Sequence, residues 1–476
     1  MRKTKIICTI GPSCQDEETI EKLIKAGMNV ARLNFSHGDH KGHEETFRKI
    51  SKIRNRLDMP VAILLDTKGP EIRLRDFKGG KAVLKTGQEF TLTTEDVLGD
   101  EHRATISFPG LVNDVKPGDG ILMDDGLIGM KVKKAEGTEI VCEVLNGGAI
   151  SNKKGINVPN VDVSMPFISE QDKSDIEFGC RLGFDFIACS FTRSADDIRE
   201  VRKILDENGS RMQVIAKIEN IQGVRNIEDI IEAADGVMVA RGDLGVEVPM
   251  EDVPILQKRI IRKAYQQGKI VITATQMLDS MIHNPRPTRA EATDVANAIY
   301  DGTTATMLSG ETASGAYPIQ AVDAMSRIAQ RAEQEMDYSK EREEVLKNMR
   351  SRDVVTTAIT HSACSTADEV NASAIVAVTM TGFTARRLAH YRPGCPVLAC
   401  TPDAVTARQL NLEFGVIPMV IGIEEREDQL FGTAIERAYS KGLLKKDDRI
   451  VLVAGLPLGR AGNTNTMRVM EVKDFL

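Results

Sequence analysis

The chain contains no tryptophan and few aromatic residues of any kind (4%), so its intrinsic fluorescence should be weak. It also has no apolar run that approaches the roughly 18 residues a membrane-spanning helix needs. Its amino terminus is predicted as a strand and not as a signal peptide. Its eight cysteines include no Cys-x-x-Cys pair, and Cys8 and Cys189 fall within apolar segments, which indicates buried reduced thiols. These absences predict a cytoplasmic protein with no membrane contact.

An excess of basic charge is also absent. The chain has 69 acidic and 62 basic residues, and its formal net charge of −7 argues against nucleic-acid binding. An anionic substrate would therefore have to be attracted by cations placed locally. A length of 476 residues predicts about three domains.

Short apolar runs alternate with amphipathic stretches over much of the chain, which is typical of repeated βα units. Eight such units predict a closed (β/α)₈ barrel, whose active site lies at the carboxyl ends of its strands. The predicted strands are Thr4–Ile10, Met28–Asn34, Val61–Thr67, Phe184–Phe191, Met212–Glu219, Gly236–Ala240, Ile270–Thr275 and Thr304–Ser309. The predicted helices between them include Glu17–Ala26, His43–Leu57, Ala195–Glu207, Val253–Gln267, Ala290–Tyr300 and Ile319–Met336.

Two acidic residues and one lysine stand at the ends of neighbouring predicted strands. Lys217 and Glu219 are two residues apart, so they share a face of their strand, and Asp243 follows the next strand. Hard cations such as Mg²⁺ take oxygen ligands, and a lysine beside such an ion suits a migrating phosphoryl group or an enolate. A buried salt bridge between two strands would give the same pattern.

Further polar residues end the other predicted strands, where they would line the same mouth. An ordinary barrel also needs polar strand ends for solubility. Taken together, however, amide, hydroxyl and carboxylate oxygens could hold a monovalent cation, and an arginine offers a guanidinium suited to phosphate. These residues are Arg32, Asn34, Ser36, Asp66, Thr67, Thr275, Gln276 and Ser309.

Several multi-residue motifs, in one order along the chain, resemble those of the pyruvate kinase family. The resemblance runs essentially from end to end, and a set of ordered motifs is far more specific than any single one. The motifs are Lys3-Thr4-Lys5-Ile6-Ile7-Cys8-Thr9-Ile10-Gly11-Pro12, Ala31-Arg32-Leu33-Asn34-Phe35-Ser36-His37-Gly38, Leu65-Asp66-Thr67-Lys68-Gly69-Pro70-Glu71-Ile72-Arg73, Ala216-Lys217-Ile218-Glu219-Asn220, Ala240-Arg241-Gly242-Asp243-Leu244-Gly245 and Ala274-Thr275-Gln276-Met277-Leu278.

The resemblance implies two cation sites. Glu219 and Asp243 would ligate the divalent ion, Mg²⁺ or Mn²⁺, that bridges the enzyme to phosphoenolpyruvate. In that family a glutamate at the position of Glu71 accompanies dependence on K⁺, whereas a lysine there can replace the charge of the ion. The implied K⁺ ligands are Asn34, Ser36, Asp66 and Thr67.

The resemblance also implies the reaction, in which phosphoenolpyruvate and ADP give pyruvate and ATP in the last step of glycolysis. Lys217 would stabilise the phosphoryl group during its transfer, and Arg32 and Thr275 would complete the catalytic set. Such a transfer depends mostly on positioning and on neutralisation of charge by cations. The implied substrate ligands are Arg32, Lys217, Gly242, Asp243 and Thr275, and the implied nucleotide ligands are Arg73 and Lys154.

Two other kinds of protein would share part of this pattern. A metal-dependent lyase on a related barrel, which handles pyruvate enolate without ADP, would use similar acids and a cation but would not need Arg73 or Lys154. A catalytically inactive regulatory homologue would keep the fold and lose the three residues Lys217, Glu219 and Asp243. All three are present.

The helical periodicity stops between Pro70 and about Phe167, where short alternating runs and turn signals predict a small all-β insertion, a β-barrel in the family. An insertion over the barrel mouth is a candidate lid, because its closure would exclude water from a phosphoryl transfer. A decorative insertion is the alternative. The predicted domains are a catalytic barrel at 1–69 and 168–338, the lid at 70–167, and a carboxyl-terminal α/β domain at 339–476.

The carboxyl-terminal domain follows the charged stretch Ser339–Arg352. Its predicted strands are Ala374–Thr379, Val397–Cys400, Val416–Val420 and Ile450–Ala454, and its predicted helices are Val354–Glu369, Ala385–His390, Ala404–Asn411 and Gln429–Lys441. The family uses this region for subunit contact and allosteric control, and the resemblance implies a homotetramer.

A strand-to-helix junction in this domain carries hydroxyls, a glycine and an arginine around the first amides of a helix, which is a ready anion site. Its residues are Thr381, Gly382, Thr384 and Arg386, and the loop Gly455–Gly462 could close over them. A simple helix cap would explain the same residues. The family uses a sugar-phosphate pocket here, although Phe383 departs from its small or polar residues. Fructose 1,6-bisphosphate is the first candidate, followed by ribose 5-phosphate or AMP.

Overall fold

The computed structural model of the protein describes residues 1–348, 353–424, 426–457 and 462–476, with the side chains of 347 and 348 excepted. The first three strands and two helices begin the barrel. They are β1 (Lys5–Thr9), α1 (Glu17–Ala26), β2 (Val30–Asn34), α2 (His40–Leu57) and β3 (Ala62–Asp66).

An all-β segment is inserted after β3, as the loss of helical periodicity predicts. Its strands form one seven-stranded sheet, in the order β4-β12-β8-β9-β10-β6-β7, and a ribbon of β5 and β11. Both pack around a separate apolar core that includes Phe90, Ile121 and Ile140. The elements are β4 (Ile72–Arg73), β5 (Lys81–Leu84), β6 (Glu89–Thr93), β7 (Arg103–Thr105), α3 (Leu111–Asp114), β8 (Gly120–Met123), β9 (Ile128–Glu136), β10 (Glu139–Asn146), β11 (Gly148–Ser151) and β12 (Gly155–Asn157).

Five more strands close the barrel, in the order β1-β17-β16-β15-β14-β13-β3-β2, and all neighbouring pairs are parallel. The strands are β13 (Phe186–Cys189), β14 (Gln213–Ile218), β15 (Gly236–Ala240), β16 (Ile270–Ala274) and β17 (Ala305–Leu308). The helices are α4 (Glu170–Leu182), α5 (Ala195–Glu207), α6 (Ile221–Arg225), α7 (Ile227–Ala233), α8 (Arg241–Glu247), α9 (Val253–Gln266), α10 (Arg289–Tyr300), α11 (Gly310–Ala313) and α12 (Pro318–Glu333).

The barrel strands are apolar on both faces because each face is covered. Residues such as Ile7, Leu64 and Ile272 fill the interior of the barrel, whereas Ile6, Ile63 and similar residues pack against the surrounding helices. Burial on both sides explains why these segments are continuous apolar runs and do not alternate with polar residues. Polar side chains are therefore concentrated where the strands end, at the carboxyl rim of the barrel.

The remaining elements form a five-stranded sheet with helices, in the strand order β20-β19-β18-β21-β22. They are α13 (Tyr338–Asn348), α14 (Val354–Glu369), β18 (Ala374–Val378), α15 (Phe383–His390), β19 (Val397–Thr401), α16 (Ala404–Leu410), β20 (Val416–Val420), α17 (Glu427–Ser440), β21 (Arg449–Ala454) and β22 (Thr466–Glu471). In the part of the chain that the structure describes, no helix is long and apolar enough to cross a membrane.

The eight predicted barrel strands are confirmed, each within two residues of its predicted bounds. Phe191 and Thr275 were predicted as strand ends but lie outside the strands, because both adopt a left-handed backbone, with φ of 56° and 70°. Sequence periodicity missed α4 and β22. It also placed the start of α2 three residues late, because the cap is formed by Asp39, which accepts a hydrogen bond from the amide of Gly42.

Buried charged contacts join the carboxyl-terminal sheet to the amino-terminal end of the barrel. The guanidinium of Arg392 lies between the rings of Tyr265 and Phe414, at 4.5 and 4.1 Å from their centroids. It donates to the carbonyl oxygens of Gly302 and Thr303, which precede β17. Since these carbonyls would otherwise be buried without a partner, Arg392 both packs and satisfies this interface.

Candidate functional site

The predicted group of Lys217, Glu219 and Asp243 is assembled at the carboxyl ends of the barrel strands. Lys217 Nζ lies 3.0 Å from Glu219 Oε1 and 3.1 Å from Asp66 Oδ1. Asp243 lies in the first turn of α8, and its negative charge adds to burial in raising the pKa of the Glu219 carboxyl group. Lys217 and Glu219 are 8% and 1% exposed, so this is a buried ionic cluster at the mouth of the barrel.

The cluster perturbs the pKa values of its members. Burial raises the pKa of Glu219 to about 7, and Lys217 opposes that rise. Burial also raises the pKa of Asp243, and the carboxylates of Asp125 and Glu71 add to this effect. A bound cation would relieve the repulsion between Glu219 and Asp243, so the two carboxylates suit a positive ion.

Asp66 differs from these two carboxylates in its balance of charges. Burial alone would raise its pKa, but Arg32 and Lys217 outweigh burial and lower the pKa. Arg32 Nε donates to Asp66 Oδ2 at 2.5 Å, and Arg32 Nη1 donates to Thr9 Oγ1 at 2.9 Å. Asp66 is therefore ionised and fixes Arg32 and Lys217 side by side.

Ser190 is a functional candidate that the sequence analysis missed. Its hydroxyl accepts from Lys217 Nζ at 2.6 Å and donates to Thr67 O at 2.6 Å. Its amide donates to Thr67 Oγ1 at 3.1 Å. The available signal was its place directly after the apolar residues of β13, at the same rim as Asp66.

The other predicted oxygen ligands lie at the ends of β2 and β3. Asn34 is paired with Asp66 across these two strands, and Asn34 Oδ1 accepts from the amide of Ser36 at 3.1 Å. Thr67 follows Asp66 directly. Amide, hydroxyl, carboxylate and carbonyl oxygens are therefore close together here, which suits a weakly hydrated monovalent cation.

Thr275 follows β16 and faces the start of α8. Its hydroxyl accepts from the amide of Gly242 at 2.8 Å and donates to Ala274 O at 2.6 Å. Gly242 and Asp243 thus lie beside Thr275, as the sequence predicts. An amide, a hydroxyl and a carboxylate-bound cation in this arrangement could receive a substrate carboxylate.

Arg73 and Lys154 lie on the inserted segment and each already has a carboxylate partner. Arg73 Nη2 is 2.6 Å from Glu71 Oε1, and Lys154 Nζ is 2.7 Å from Asp124 Oδ1. A cleft between the insertion and the barrel is lined by residues that include Glu71, Asp125 and Asp243. Neither Arg73 nor Lys154 is among the described residues that line this cleft. Their neighbours in the chain, Ile72 and Gly155, do line it, so the two cations lie near the cleft but outside it.

A separate cavity of about 380 Å³ lies in the carboxyl-terminal segment, at the amino terminus of α15. Thr381 and Thr384 line it, and Thr384 Oγ1 is hydrogen-bonded to Thr464 Oγ1 at 2.7 Å. Gly382 is the residue before α15, with φ of 82°. Arg386 is not among the described lining residues, and its guanidinium is 3.3 Å from Glu413.

The lining of this cavity also includes the apolar residues Met380, Phe383 and Ile421. Gly455 and Gly462, the ends of the predicted closing loop, also line it. Residues 458–461 of that loop lie outside the described residues.

Among the described residues, no group of three or more His, Cys, Asp or Glu side chains is placed to hold a metal ion. The pair Glu219 and Asp243 still suits Mg²⁺, because this ion is commonly bound by one or two carboxylates together with waters and substrate oxygens. A buried carboxylate pair with raised pKa values is the observation that supports this fit.

Comparison with known proteins identifies the family of the chain. Residues 1–322 match the model of the pyruvate kinase barrel domain, and residues 357–470 match the model of the pyruvate kinase alpha/beta domain. The chain is 50% identical to a pyruvate kinase of Clostridium perfringens, over 99% of this chain and 100% of the relative. It is 48% identical to one of Geobacillus stearothermophilus, over 100% of this chain and 81% of the relative.

A solved structure gives the same result. A pyruvate kinase from Cryptosporidium parvum superposes with a TM-score of 0.94 and 40% sequence identity, over 99% of this chain and 96% of that chain. Both family models, the curated relatives and the solved structure point to one family. The chain therefore belongs to the pyruvate kinase family.

Proposed function

We propose that Lys217, with Arg32 and Thr275, performs the reaction of this family, the transfer of a phosphoryl group from phosphoenolpyruvate to ADP. The observation that carries this proposal is the ammonium group of Lys217, held between Asp66 and Glu219 at the barrel mouth. The transferred phosphoryl group carries its charge on peripheral oxygens, so fixed cations stabilise it most effectively. Lys217 and Arg32 are two such cations, and Asp66 fixes both.

The substrate would lie between the basic and hydroxyl sides of the mouth. Arg32 and Lys217 would bind its phosphate, whereas the amide of Gly242 and the hydroxyl of Thr275 would bind its carboxylate. Glu219 and Asp243 would hold Mg²⁺ or Mn²⁺, which when bound supplies neutralising charge to the substrate oxygens. A lyase alternative would share these groups, but membership of the kinase family and the presence of Arg73 and Lys154 favour the transfer to ADP.

The inserted segment would act as a lid that carries the nucleotide-side cations Arg73 and Lys154. Among the described residues, its contacts with the barrel include the hydrogen bond from Asn157 Nδ2 to Glu247 Oε1 at 3.0 Å. The segment also has its own apolar core. We take the domains to be 1–69 with 168–338, 70–167 and 339–476, because the apolar cores divide in nearly the same way; the exceptions among the buried residues are Phe167, which belongs to the core of the barrel, and Leu412, which joins the cluster inside it.

The resting pairs of Arg73 with Glu71 and Lys154 with Asp124 support this role for the lid. Each cation is kept in place by a carboxylate that the phosphates of ADP could replace. Because guanidinium and ammonium groups bind phosphate by charge-assisted hydrogen bonds, exchange of one anion for another needs little rearrangement.

The assembly and location of the protein are inferred from the family. A homotetramer is implied by membership of the family. Met250 and Ile255, near the start of α9, and Tyr300, at the end of α10, are 80%, 64% and 49% exposed, and these apolar side chains are candidates for subunit contacts. A cytoplasmic location agrees with the family's place in glycolysis.

Replacement of Lys217 by methionine should lower kcat by about 10³-fold or more, since loss of one group that stabilises transition-state charge has this effect. Phosphoenolpyruvate binding should weaken much less. An assay coupled to pyruvate formation measures both. Lys5→Met is the matched control, because Lys5 is an equally buried lysine at the opposite end of the barrel, where it donates to Val416 O. Near-normal turnover of the Lys217 variant would remove this residue from the mechanism.

Replacement of Asp243 by asparagine should raise the Mg²⁺ concentration needed for half-maximal activity. The increase should exceed roughly 10- to 100-fold, which is the loss of metal affinity expected when a residue that only orients a metal ligand is replaced. Activity should stay low at saturating Mg²⁺, because the carboxylate also helps to orient the substrate oxygens. Asp235→Asn is the control, because Asp235 directly precedes β15 whereas Asp243 follows it. An unchanged Mg²⁺ titration is the result that contradicts this assignment.

K⁺ should activate the enzyme more strongly than Na⁺, with Asn34, Ser36, Asp66 and Thr67 as ligands. Glu71→Lys should reduce this dependence, because the ammonium group would supply the charge of the ion. Glu71→Gln is the control, since it removes the same ion pair with Arg73 and adds no positive charge. Initial rates in KCl and NaCl compare the three proteins. Full activity of the parent enzyme without K⁺ would reject the site.

A phosphorylated effector should bind the cavity at the amino terminus of α15, which is lined by Thr381 and Thr384. At least one of fructose 1,6-bisphosphate, ribose 5-phosphate and AMP should shift the phosphoenolpyruvate saturation curve to lower concentrations. Thr384→Ala should weaken the shift, whereas Thr360→Ala, a buried threonine bonded within its own helix, should not. If none of the three compounds moves the curve, the cavity is not their regulatory site.

A further inference from the structure

The turn that carries Thr275 has a strained backbone. Thr275 and the next residue, Gln276, both have left-handed conformations, with φ of 70° and 52°. A β-branched residue such as threonine rarely adopts this conformation, and it persists only where surrounding contacts enforce it. Something in the structure must therefore hold the turn in place.

Arg241 makes those contacts. This residue begins α8, directly before Gly242 and Asp243, and its side chain is 12% exposed. Its guanidinium donates from Nη2 to Thr275 O at 2.7 Å and from Nε to Ala274 O at 3.3 Å. Nη2 also lies 2.9 Å from the sulfur of Met277. One planar group thus contacts three of the four residues from 274 to 277.

Arg241 is itself fixed by two helices. Its Nη1 donates to Asp294 Oδ1 on α10 at 2.7 Å and to Gln257 Oε1 on α9 at 3.3 Å. Asp294 is the counter-ion that makes a buried guanidinium tolerable. The rigid fork geometry of arginine allows these acceptors and the turn carbonyls to be bound at the same time, which a lysine could not do.

The far side of the turn is held independently. Glu311 is 1% exposed, and its carboxylate accepts from the amides of Leu278 and Ser309 at 3.0 and 2.7 Å. Arg241 thus binds the carbonyl oxygens at the start of the segment, and Glu311 binds the amide of Leu278 at its end. Since Glu311 contacts only the end of the segment, the hydrogen bonds that hold Thr275 itself are those from the Arg241 guanidinium to its carbonyl and from the Gly242 amide to its hydroxyl.

We propose that Arg241 is a positioning residue for the reaction, because its guanidinium fixes the left-handed turn that presents the Thr275 hydroxyl and the Gly242 amide to the substrate. This inference rests on the proposed role of Thr275 in substrate binding. Arg241 acts through Thr275 and does not touch the substrate. A displacement of about 1 Å in such a group can cost on the order of 10²-fold in rate.

The test is a double-mutant cycle of Arg241→Met and Thr275→Ala. Arg241→Met should lower kcat/KM for phosphoenolpyruvate by about 100-fold. It should leave KM for ADP within about twofold of the parent, because the nucleotide is bound elsewhere. Arg241→Lys, which keeps the charge opposite Asp294, should recover part of the loss. The double variant should lose less than the product of the two single losses, because Arg241 acts on the substrate partly through the Thr275 hydroxyl.

Arg202→Met is the matched control. Arg202 makes the same kinds of contact at the opposite end of the barrel, with two hydrogen bonds to Ala233 O and an ion pair to Asp235. It should lower thermal stability to a similar extent while kcat/KM stays at the parent value. If Arg241→Met does not fold, Asp294→Asn replaces it in the cycle. This variant should also lower kcat/KM for phosphoenolpyruvate, but by a smaller factor.

Two results would overturn the proposal. One is parent-like kcat/KM in Arg241→Met despite a stability loss like that of Arg202→Met. The other is multiplication of the two single losses in the double variant. If Thr275→Ala has no effect of its own, the proposed substrate role of Thr275 fails and this inference fails with it. If Thr275→Ala is impaired and Arg241→Met is not, the substrate role stands and only the positioning role is lost.

Discussion

A buried ammonium group determines the arrangement of the active site. Lys217 is almost fully enclosed, and a charge in that position must be paired and hydrogen-bonded to be tolerated. It donates hydrogen bonds to Asp66 at 3.1 Å and to Ser190 at 2.6 Å, and it forms an ion pair with Glu219 at 3.0 Å. Because they belong to three different strand ends, the lysine fixes the relative positions of β3, β13 and β14 at the mouth of the barrel.

The same mouth concentrates backbone strain. Phe191, Thr275 and Gln276 adopt left-handed conformations, and each follows a barrel strand within two residues of its end. In each case a charged side chain holds the strained segment, because the amide of Phe191 donates to Glu219 Oε2 at 2.6 Å and the carbonyl of Thr275 accepts from Arg241. The groups proposed to perform the chemistry and the groups that hold the backbone therefore lie at the same rim of the barrel.

The barrel and its carboxylate cluster could be predicted because both follow from simple periodicities. Doubly buried strands are continuous apolar runs, and Lys217 and Glu219 share a face because they are two residues apart. Ser190 could not be found in this way, since a serine after a strand resembles any solubilising rim residue. The role proposed for Arg241 was hidden for another reason. Its partners Asp294 and Gln257 are 53 and 16 residues away, and the left-handed turn that it holds has no glycine to mark it.

Helix α4 was missed although its amino terminus carries a capping box, with the Ser169 hydroxyl bonded to the amide of Asp172. Its weakly apolar composition concealed the helical period. Of the residues predicted for the effector site, the structure places some at one cavity and not others. Thr381 and Thr384 line one cavity, whereas Arg386 turns toward Glu413, because a buried carboxylate attracts the nearest guanidinium more strongly than an open cavity does.

Strand β1 links the two ends of the barrel through contacts that sequence alone could not reveal. At its start, Lys5 Nζ donates to Val416 O in the carboxyl-terminal sheet at 2.5 Å. At its end, Thr9 Oγ1 accepts from Arg32, which in turn is bonded to Asp66. Lys5 and Thr9, four positions apart on β1, thus bond to the sheet beneath the barrel and to Arg32 respectively. Strand β1 therefore has a bonded contact at each end of the barrel, and neither contact is marked by a periodicity of the sequence.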